Sequence, residues 1–295
     1  MTSNAEMVAS ALESPRRGGS IITLLTDFGC ADYFVGAVKG VILSINPQVR
    51  IVDLTHEIPA HDIAAAGFIL WASCGYYPPR TIHMAVVDPG VGSECRRIVV
   101  ETPDALFVGP DNGLFTQVYD TAPEFRVFNI GESWRAQYLR RAISPTFHGR
   151  DIFAPVAAWL SRGLSPAELG EPVKDPVRFD TPGLPSVSPA GSLSGSILHI
   201  DRYGNCVTSI GLDRLLPVKA AERGFLVAGW HITRICRFFS EAECTTAPFA
   251  YPGSAGLWEI AIWQDSAANR LGIGRGTSVS VPGELAGGEE TGVSR

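Results

Sequence analysis

Apolar residues in the first half of the chain fall into runs that switch between two periods. Ile21-Ile-Thr-Leu-Leu-Thr26 is a short continuous run that stops at Asp27-Phe-Gly29, as a buried strand does when it opens into a turn. Phe34 to Ile45 has helical spacing and is stopped by Asn46-Pro47, and Arg50 to Leu54 is the next strand. Ile63 to Trp71 predicts a second helix, with Asp62 where its N-cap belongs. After Tyr76-Tyr-Pro-Pro79 comes a strand over Thr81 to Val87. This β-α-β-α-β order predicts a parallel or mixed sheet with helices on its faces. Arg97 to Glu101 and Ala105 to Val108 predict a hairpin closing through Thr102-Pro-Asp104, and Asp151 to Arg162 a helix ended by Gly163.

The pattern changes after residue 171. Pro and Gly are dense from Pro172 to Pro189 without periodicity, which reads as a linker. Beyond it lie short strands at Ser196 to Ile200, Cys206 to Ile210, Gly224 to Ala228 and Leu257 to Trp263, with helical periodicity confined to stretches such as Asp213 to Leu216. The expected organisation is a disordered tail over 1–19, an α/β domain over 20–171, the linker over 172–189, a smaller all-β domain over 190–282 and a tail over 283–295.

With 295 residues the chain can bury two moderate cores. Its net charge is -6 and no run of Lys or Arg stands out, which argues against nucleic acid and acidic membranes as partners. No apolar stretch reaches the roughly 18 residues of a membrane-spanning helix, and the N-terminus lacks the apolar segment of a signal peptide. Six cysteines are scattered without a CxxC pair, against both a disulfide framework and a zinc site. A cytoplasmic protein is expected.

The candidate chemistry gathers around Met84 to Arg97. There an apolar run ends in Asp88, and Pro89, Gly90 and Gly92 turn the chain. This construction sets a carboxylate at the carboxyl end of a strand, where open α/β sheets bind ligands. Val108-Gly-Pro-Asp-Asn-Gly113 and Thr146-Phe-His-Gly-Arg-Asp151 add Asp111, Asn112, His148, Arg150 and Asp151. Asp27 reads equally as a ligand contact or a turn cap. Asp53, His56, His61 and Asp62 raise the question of a metal. No carboxylate triad completes a cage, Asp62 has its capping role, and His56 reads as a contact to a ligand or to neighbouring backbone. No Rossmann glycine fingerprint or phosphate loop is present.

Six motifs, in order, resemble the S-adenosyl-L-methionine hydroxide adenosyltransferases, relatives of the fluorinases and chlorinases. They are Thr26-Asp-Phe-Gly29, Ile51-Val-Asp-Leu-Thr-His56, Val87-Asp-Pro-Gly-Val-Gly92, Gly109-Pro-Asp-Asn-Gly113, Phe147-His-Gly-Arg-Asp151 and Asp201-Arg-Tyr-Gly-Asn205. The resemblance covers about residues 20 to 280. It implies an α/β domain followed by a barrel-like β domain, and a homotrimer with active sites between one chain's first domain and its neighbour's second. S-adenosylmethionine is then the substrate rather than a cofactor, cleaved by water at the ribose C5′ to adenosine and methionine, with no metal. The family's Asp-Arg-His set carries over to Asp88, Arg96 and His148. Asp27 matches a carboxylate on the ribose hydroxyls, and Phe147 lies in the same motif as His148. Asp201 and Asn205 match a pair at the methionine end, with Tyr203 stacking on the ligand or supporting the turn, and Ser266 matches a segment around the adenine or the methionine carboxylate.

The arginine is where this chain departs from its relatives. They read Gly-Thr-Glu-Arg-Arg where this sequence has Gly92-Ser-Glu-Cys-Arg-Arg97. Without a gap, Cys95 occupies the first arginine's place and Arg96 the second's, and Arg97 is a weaker candidate. Three other functions compete. A halogenase is disfavoured by Gly149, where halogenases carry a serine, and by the compact stretch from Arg97 to Asn112, where fluorinases carry an insertion. A non-catalytic S-adenosylmethionine binder is kept open by Cys95, and a metal-dependent phosphoesterase is the third reading.

Overall fold

The computed structural model describes residues 20–132, 134, 142–179, 186–189, 191–215 and 217–283. The tail expected over 1–19, all but the first residue of the C-terminal tail, linker residues 180–185, and Leu216 lie outside the described residues. Contacts divide the chain into two units, Met1–Phe179 and Asp180–Arg295. No helix among the described residues is long and apolar enough to cross a membrane.

The first unit is a six-stranded mixed sheet. Its strands are β1 (Ile21–Thr26), β2 (Arg50–Thr55), β3 (Thr81–Val86), β4 (Arg97–Glu101), β5 (Ala105–Pro110) and β6 (Arg126–Asn129), in spatial order β2-β1-β3-β5-β4-β6. β2, β1, β3 and β5 are parallel, whereas β4 is antiparallel to both β5 and β6. Every residue of β3 is buried, which accounts for its apolar run without alternation, because a parallel strand is covered on both faces. Helices α1 (Phe34–Ile45) and α4 (Ala154–Ser161) pack with Ile22, Leu24, Met84 and Val86 on one face. Helices α2 (Ile63–Cys74) and α3 (Thr116–Thr121) pack with Leu25, Ala85, Val87 and Val100 on the other. Asp62 caps α2 as expected, accepting from Ala65 N at 3.0 Å.

The strand order fixes where a ligand belongs. The chain leaves β1 for β2 on one side and then crosses back to β3 on the other, so β1 and β3 flank the topological switch point. Open α/β sheets bind their ligands at the carboxyl ends of the strands at such a point. Asp27 follows β1 directly, and Asp88 stands two residues beyond β3.

Two segments differ from expectation in this unit. The helix expected from Asp151 begins as a π turn, Gly149–Phe153, in which Ala154 N donates to Gly149 O. Pro155 has no N–H to offer the carbonyl four residues back, so the first turn takes the wider ring. Residues 172–179, read as the start of a linker, run along the first unit. Val173 N donates to Val127 O at 2.8 Å, Val177 N to Asp111 Oδ1 at 2.8 Å and Phe179 N to Thr116 Oγ1 at 2.8 Å. They cover the otherwise open edge at β6. Aperiodic composition shows that a segment is neither helix nor strand, not that it is unattached.

The second unit is an antiparallel, barrel-like sheet. It comprises β7 (Ser186–Val187), β8 (Leu193–Ile200), β9 (Cys206–Gly211), β10 (Phe225–Val227), β11 (Trp230–Ile232), β12 (Phe249–Pro252), β13 (Leu257–Ala261) and β14 (Ser278–Val281). The order is β11-β10-β14-β8-β9-β13-β12, with β7 on β8. Trp258, Phe225, Ile260 and Ile210 form the centre of its core. The short helix expected at 213–216 falls instead at α5 (Pro217–Arg223), where proline takes the first helical position, the one place its missing N–H costs nothing. A last helix, α6 (Ala267–Leu271), is capped by Ser266, whose Oγ accepts from Asn269 N at 3.2 Å.

Candidate active site

Asp27 and Asp88 are the carboxylates of the switch point. Asp27 Oδ2 accepts from His61 N at 2.9 Å, and His61 adopts φ +67°, an uncommon conformation that presents this N–H. Asp88 Oδ1 accepts from Gly90 N at 3.2 Å, closing the turn that Pro89 and Gly90 make. Burial pushes the Asp88 carboxyl above its ordinary range; the Gly90 N–H and the charge of Arg97 oppose this, while the negative charge of Asp27 adds to it. The two carboxylates therefore share one electrostatic environment.

His148 is buried at the head of the π turn. The segment leading to it runs against the Asp88 loop. At Gly92, φ +84°, a Cβ would lie 2.5 Å from the Pro145 carbonyl oxygen, so only glycine permits the approach. At Gly149 a Cβ would come within 3.1 Å of the Phe28 ring. Phe147 sits in an aromatic cluster with Phe28, Phe34 and Tyr33, at centroid distances of 5.9, 5.2 and 6.4 Å. Arg150 covers the Phe147 ring at 4.9 Å and is held by Asp151 at 2.6 and 2.8 Å. The loops after β1 and β3 and the π turn thus converge, bringing Asp27, Asp88, Phe147 and His148 to one end of the sheet.

Arg96 does not join them. Its Nε donates to Asp111 Oδ2 at 2.7 Å, Nη1 to Asp175 Oδ1 at 2.8 Å and Nη2 to Asp175 O at 2.6 Å. The guanidinium ties the β5 end to the 172–179 segment instead of orienting Asp88. Arg97 is the arginine whose charge reaches Asp88. Its Nη2 donates to Ser93 O at 3.3 Å within the Asp88 loop, and its Nε is buried without a hydrogen-bond partner among the described residues. The reason is alternation. Successive residues of an extended chain point to opposite sides, so 95 and 97 share a side that 96 does not. Cys95 feels the same surroundings: burial, then Asp88 and Asp111, push its thiol up, away from a reactive thiolate, and Arg97 opposes them. Counting matched positions ranked Arg97 below Arg96, whereas the two-residue period places it with Cys95.

Asp111 and Asn112 frame the site rather than enter it. Asp111 is consumed by Arg96 and Val177 N, and Asn112 Nδ2 donates to Val87 O at 2.9 Å, bracing the residue before Asp88.

The remaining expected residues form a separate constellation in the second unit. Asp201 Oδ1 accepts from Tyr203 N at 2.9 Å and Asn205 N at 2.8 Å, and Oδ2 accepts from Asn205 Nδ2 at 2.8 Å. The carboxylate organises a tight turn that leaves the Tyr203 side chain exposed. Gly204, φ +84°, is pressed on Ser266, since a Cβ there would stand 2.1 Å from Ser266 Oγ, and Gly204 O accepts from Ala268 N at 3.0 Å. Asp201, Tyr203, Asn205 and Ser266 are therefore neighbours.

The fold and these constellations define an α/β protein with an acid-histidine site at its switch point, followed by a β unit with its own polar turn cluster. The model of the SAM hydroxide adenosyltransferase N-terminal domain matches residues 22–170, and that of the C-terminal domain residues 195–280. The chain belongs to this family. It is 38% identical to the (R)-S-adenosyl-L-methionine hydrolase of Thermus thermophilus, over 88% of this chain and 98% of that protein. Against the enzyme of the same name from Methanocaldococcus jannaschii it is 39% identical, over 66% of this chain and 68% of the other. Proteins named fluorinase match at 27% identity or less. Among solved structures, an uncharacterized conserved protein from Thermotoga maritima superposes with a TM-score of 0.78 at 31% identity, covering 88% of this chain and 99% of that one.

Proposed function

We propose that this protein hydrolyses S-adenosyl-L-methionine to adenosine and L-methionine, and that its substrate is the (R) epimer at sulfur named for its relatives. The observation that carries the proposal is Asp88. It is a half-buried carboxylate at the switch point, beside an arginine and converging with His148. Water attacks the ribose C5′ as the C5′–S bond breaks. The bonding electrons go to sulfur, which leaves as the neutral thioether of methionine, so no general acid is needed. The difficulty is the nucleophile, because bulk water has a pKa of about 15.7. Asp88 accepts its proton, His148 orders the water and shares the proton, and Arg97 orients the Asp88 carboxylate in place of Arg96.

Asp27, with one oxygen held by His61 N, takes the ribose hydroxyls. Phe147 and its aromatic neighbours lie beside the sulfonium. Asn205, Asp201, Ser266 and Tyr203 take the methionine end. We further propose a homotrimer in which the second unit of one chain serves the first unit of the next, and action in the cytoplasm, where six free cysteines suit a reducing compartment. Gly149, standing where halogenases carry a serine, supports hydrolysis over halogenation.

Incubating each sulfur epimer in oxygen-18 water, with and without halide and EDTA, and analysing products by mass spectrometry tests this function. Label in the adenosine 5′-hydroxyl is expected without added metal. Binding without turnover would point to a non-catalytic S-adenosylmethionine binder, and a 5′-halogenated product would overturn the choice of nucleophile.

A further inference from the structure

The Asp53, His56 and His61 cluster has a use other than metal binding. Lys39 Nζ lies 2.6 Å from Asp53 Oδ2, and Asp53 Oδ1 lies 3.1 Å from His56 Nε2. The carboxylate of Asp53 thus lies between the Lys39 ammonium and the His56 ring. On its other side, His56 Nδ1 is 2.8 Å from Thr26 Oγ1, which itself accepts from Phe28 N at 3.3 Å. His56 is 4% exposed and Thr26 1% exposed, so neither reaches solvent as a base or nucleophile. Thr26 Oγ1 and His56 Nδ1 share a hydrogen bond whose donor is set by the ring tautomer; with the ring proton on Nε2, facing Asp53, the Thr26 hydroxyl donates to Nδ1.

The backbone completes the grip. Gly29 N donates to His56 O at 2.8 Å. His56 thus holds residue 26 through its side chain and residue 29 through its carbonyl, the two sides of Asp27. A β-bulge supplies the geometry: Leu24 pairs with Asp53, but Leu25 pairs with Thr55, so Leu54 is an extra residue that re-aims the end of β2. With His61 N on Oδ2, both the backbone and one carboxylate oxygen of Asp27 are set by the segment following β2.

We propose that His56, gripping Thr26 and backed by Asp53 and Lys39, is a positioning residue that fixes the Asp27 carboxylate and thereby gives the site its selectivity for a ribose carrying both hydroxyls. The inference rests on Asp27 taking those hydroxyls. It predicts that loosening the strut costs recognition of the diol rather than binding of the adenine.

The test is calorimetric titration of the full-length protein with adenosine and with 2′,3′-dideoxyadenosine, beside SAM turnover and thermal melting. Wild type is expected to prefer adenosine, and Asp27→Ala to lose the preference. Thr26→Val, nearly isosteric, should narrow the preference by roughly tenfold, the order of a charge-assisted hydrogen bond, and should lower the melting temperature while leaving the protein folded, because His56 Nδ1 and Phe28 N lose their partner. Thr26→Ser should restore it, and His56→Asn should fall between. The inference is overturned if folded Thr26→Val keeps the wild-type preference, if both nucleosides weaken equally, or if wild type or Asp27→Ala shows that Asp27 does not discriminate. A wild type that binds adenosine selectively but turns over no S-adenosylmethionine would refute hydrolysis and leave the strut to be judged by the titrations.

Discussion

Replacing Arg96 or Arg97 by alanine should produce two different kinds of defect. Arg96 Nε meets Asp111, whose side chain is 1% exposed, while the Arg96 side chain is 34% exposed. Its second partner, Asp175, is 83% exposed. Breaking a fully buried pair costs about 3–5 kcal/mol, whereas exposed pairs are worth about 0–1 kcal/mol. A half-solvated guanidinium on a buried carboxylate falls between, so Arg96→Ala should cost about 2–3 kcal/mol, mostly by leaving Asp111 with Val177 N as its remaining partner. At about 2–4 °C per kcal/mol for a unit of this size, melting should fall by roughly 4–12 °C. Below that transition, turnover should remain within about threefold of wild type, because Arg96 touches no reacting group. Arg97→Ala should do the reverse, with kcat/KM down roughly hundredfold, as misplacing a catalytic group does, and a small change in melting. Differential scanning calorimetry paired with product chromatography reads both. Loss of turnover in Arg96→Ala at an unchanged melting temperature, with Arg97→Ala active, would refute the assignment and return the role to Arg96.

The other expectations concern the base, its charge and the assembly. Asp88→Asn and His148→Ala should each lower kcat by about a hundredfold or more with a smaller change in KM, and near-normal turnover in either variant removes that residue from the mechanism. Asp88 must be ionised to accept a proton and its pKa is raised, so the acid limb of kcat/KM should lie above the ordinary aspartate value. Arg97→Ala, removing a lowering influence, should move that limb up, and Asp27→Asn, removing a raising one, should move it down; shifts of the opposite sign would refute the electrostatic account. By the same linkage the ionised Asp88 opposes folding above its raised pKa, so Asp88→Asn should melt slightly higher than wild type at neutral pH. If sites form between chains, inactive Asp88→Asn and Asn205→Ala proteins, dissociated and reassembled together, should recover part of the activity. No recovery in verified mixed trimers would overturn that assembly.

Much of the fold was legible because its elements announce themselves locally. The runs at Ile21 to Thr26 and Thr81 to Val86 are buried on both faces and need no alternation, and the helix beginning at Ile63 carries its own cap in Asp62. Phe249–Pro252 and Ser278–Val281 were not legible. Each is only four residues long and becomes a strand through its partner, Leu257–Ala261 in one case and Leu193–Ile200 in the other. Pro155 was visible, but its effect, a π turn that places His148 at its head, depends on how the backbone refills its hydrogen bonds.

The sequence by itself determined the β-α-β-α-β order from Ile21 to Val86, the placing of Asp27 and Asp88 at strand ends and the family to which the motifs belong, because these depend on residues adjacent along the chain. Tertiary structure alone decided what pairs with what. It set β1 beside both β2 and β3, bringing the two carboxylates to one switch point. It gave Arg96 to Asp111 and Asp175 and brought the charge of Arg97 to bear on Asp88. It also set the His56 ring against the Thr26 hydroxyl. A charged or polar side chain has several chemically suitable partners in any sequence, and the one it takes depends on distances that exist only after the chain has folded.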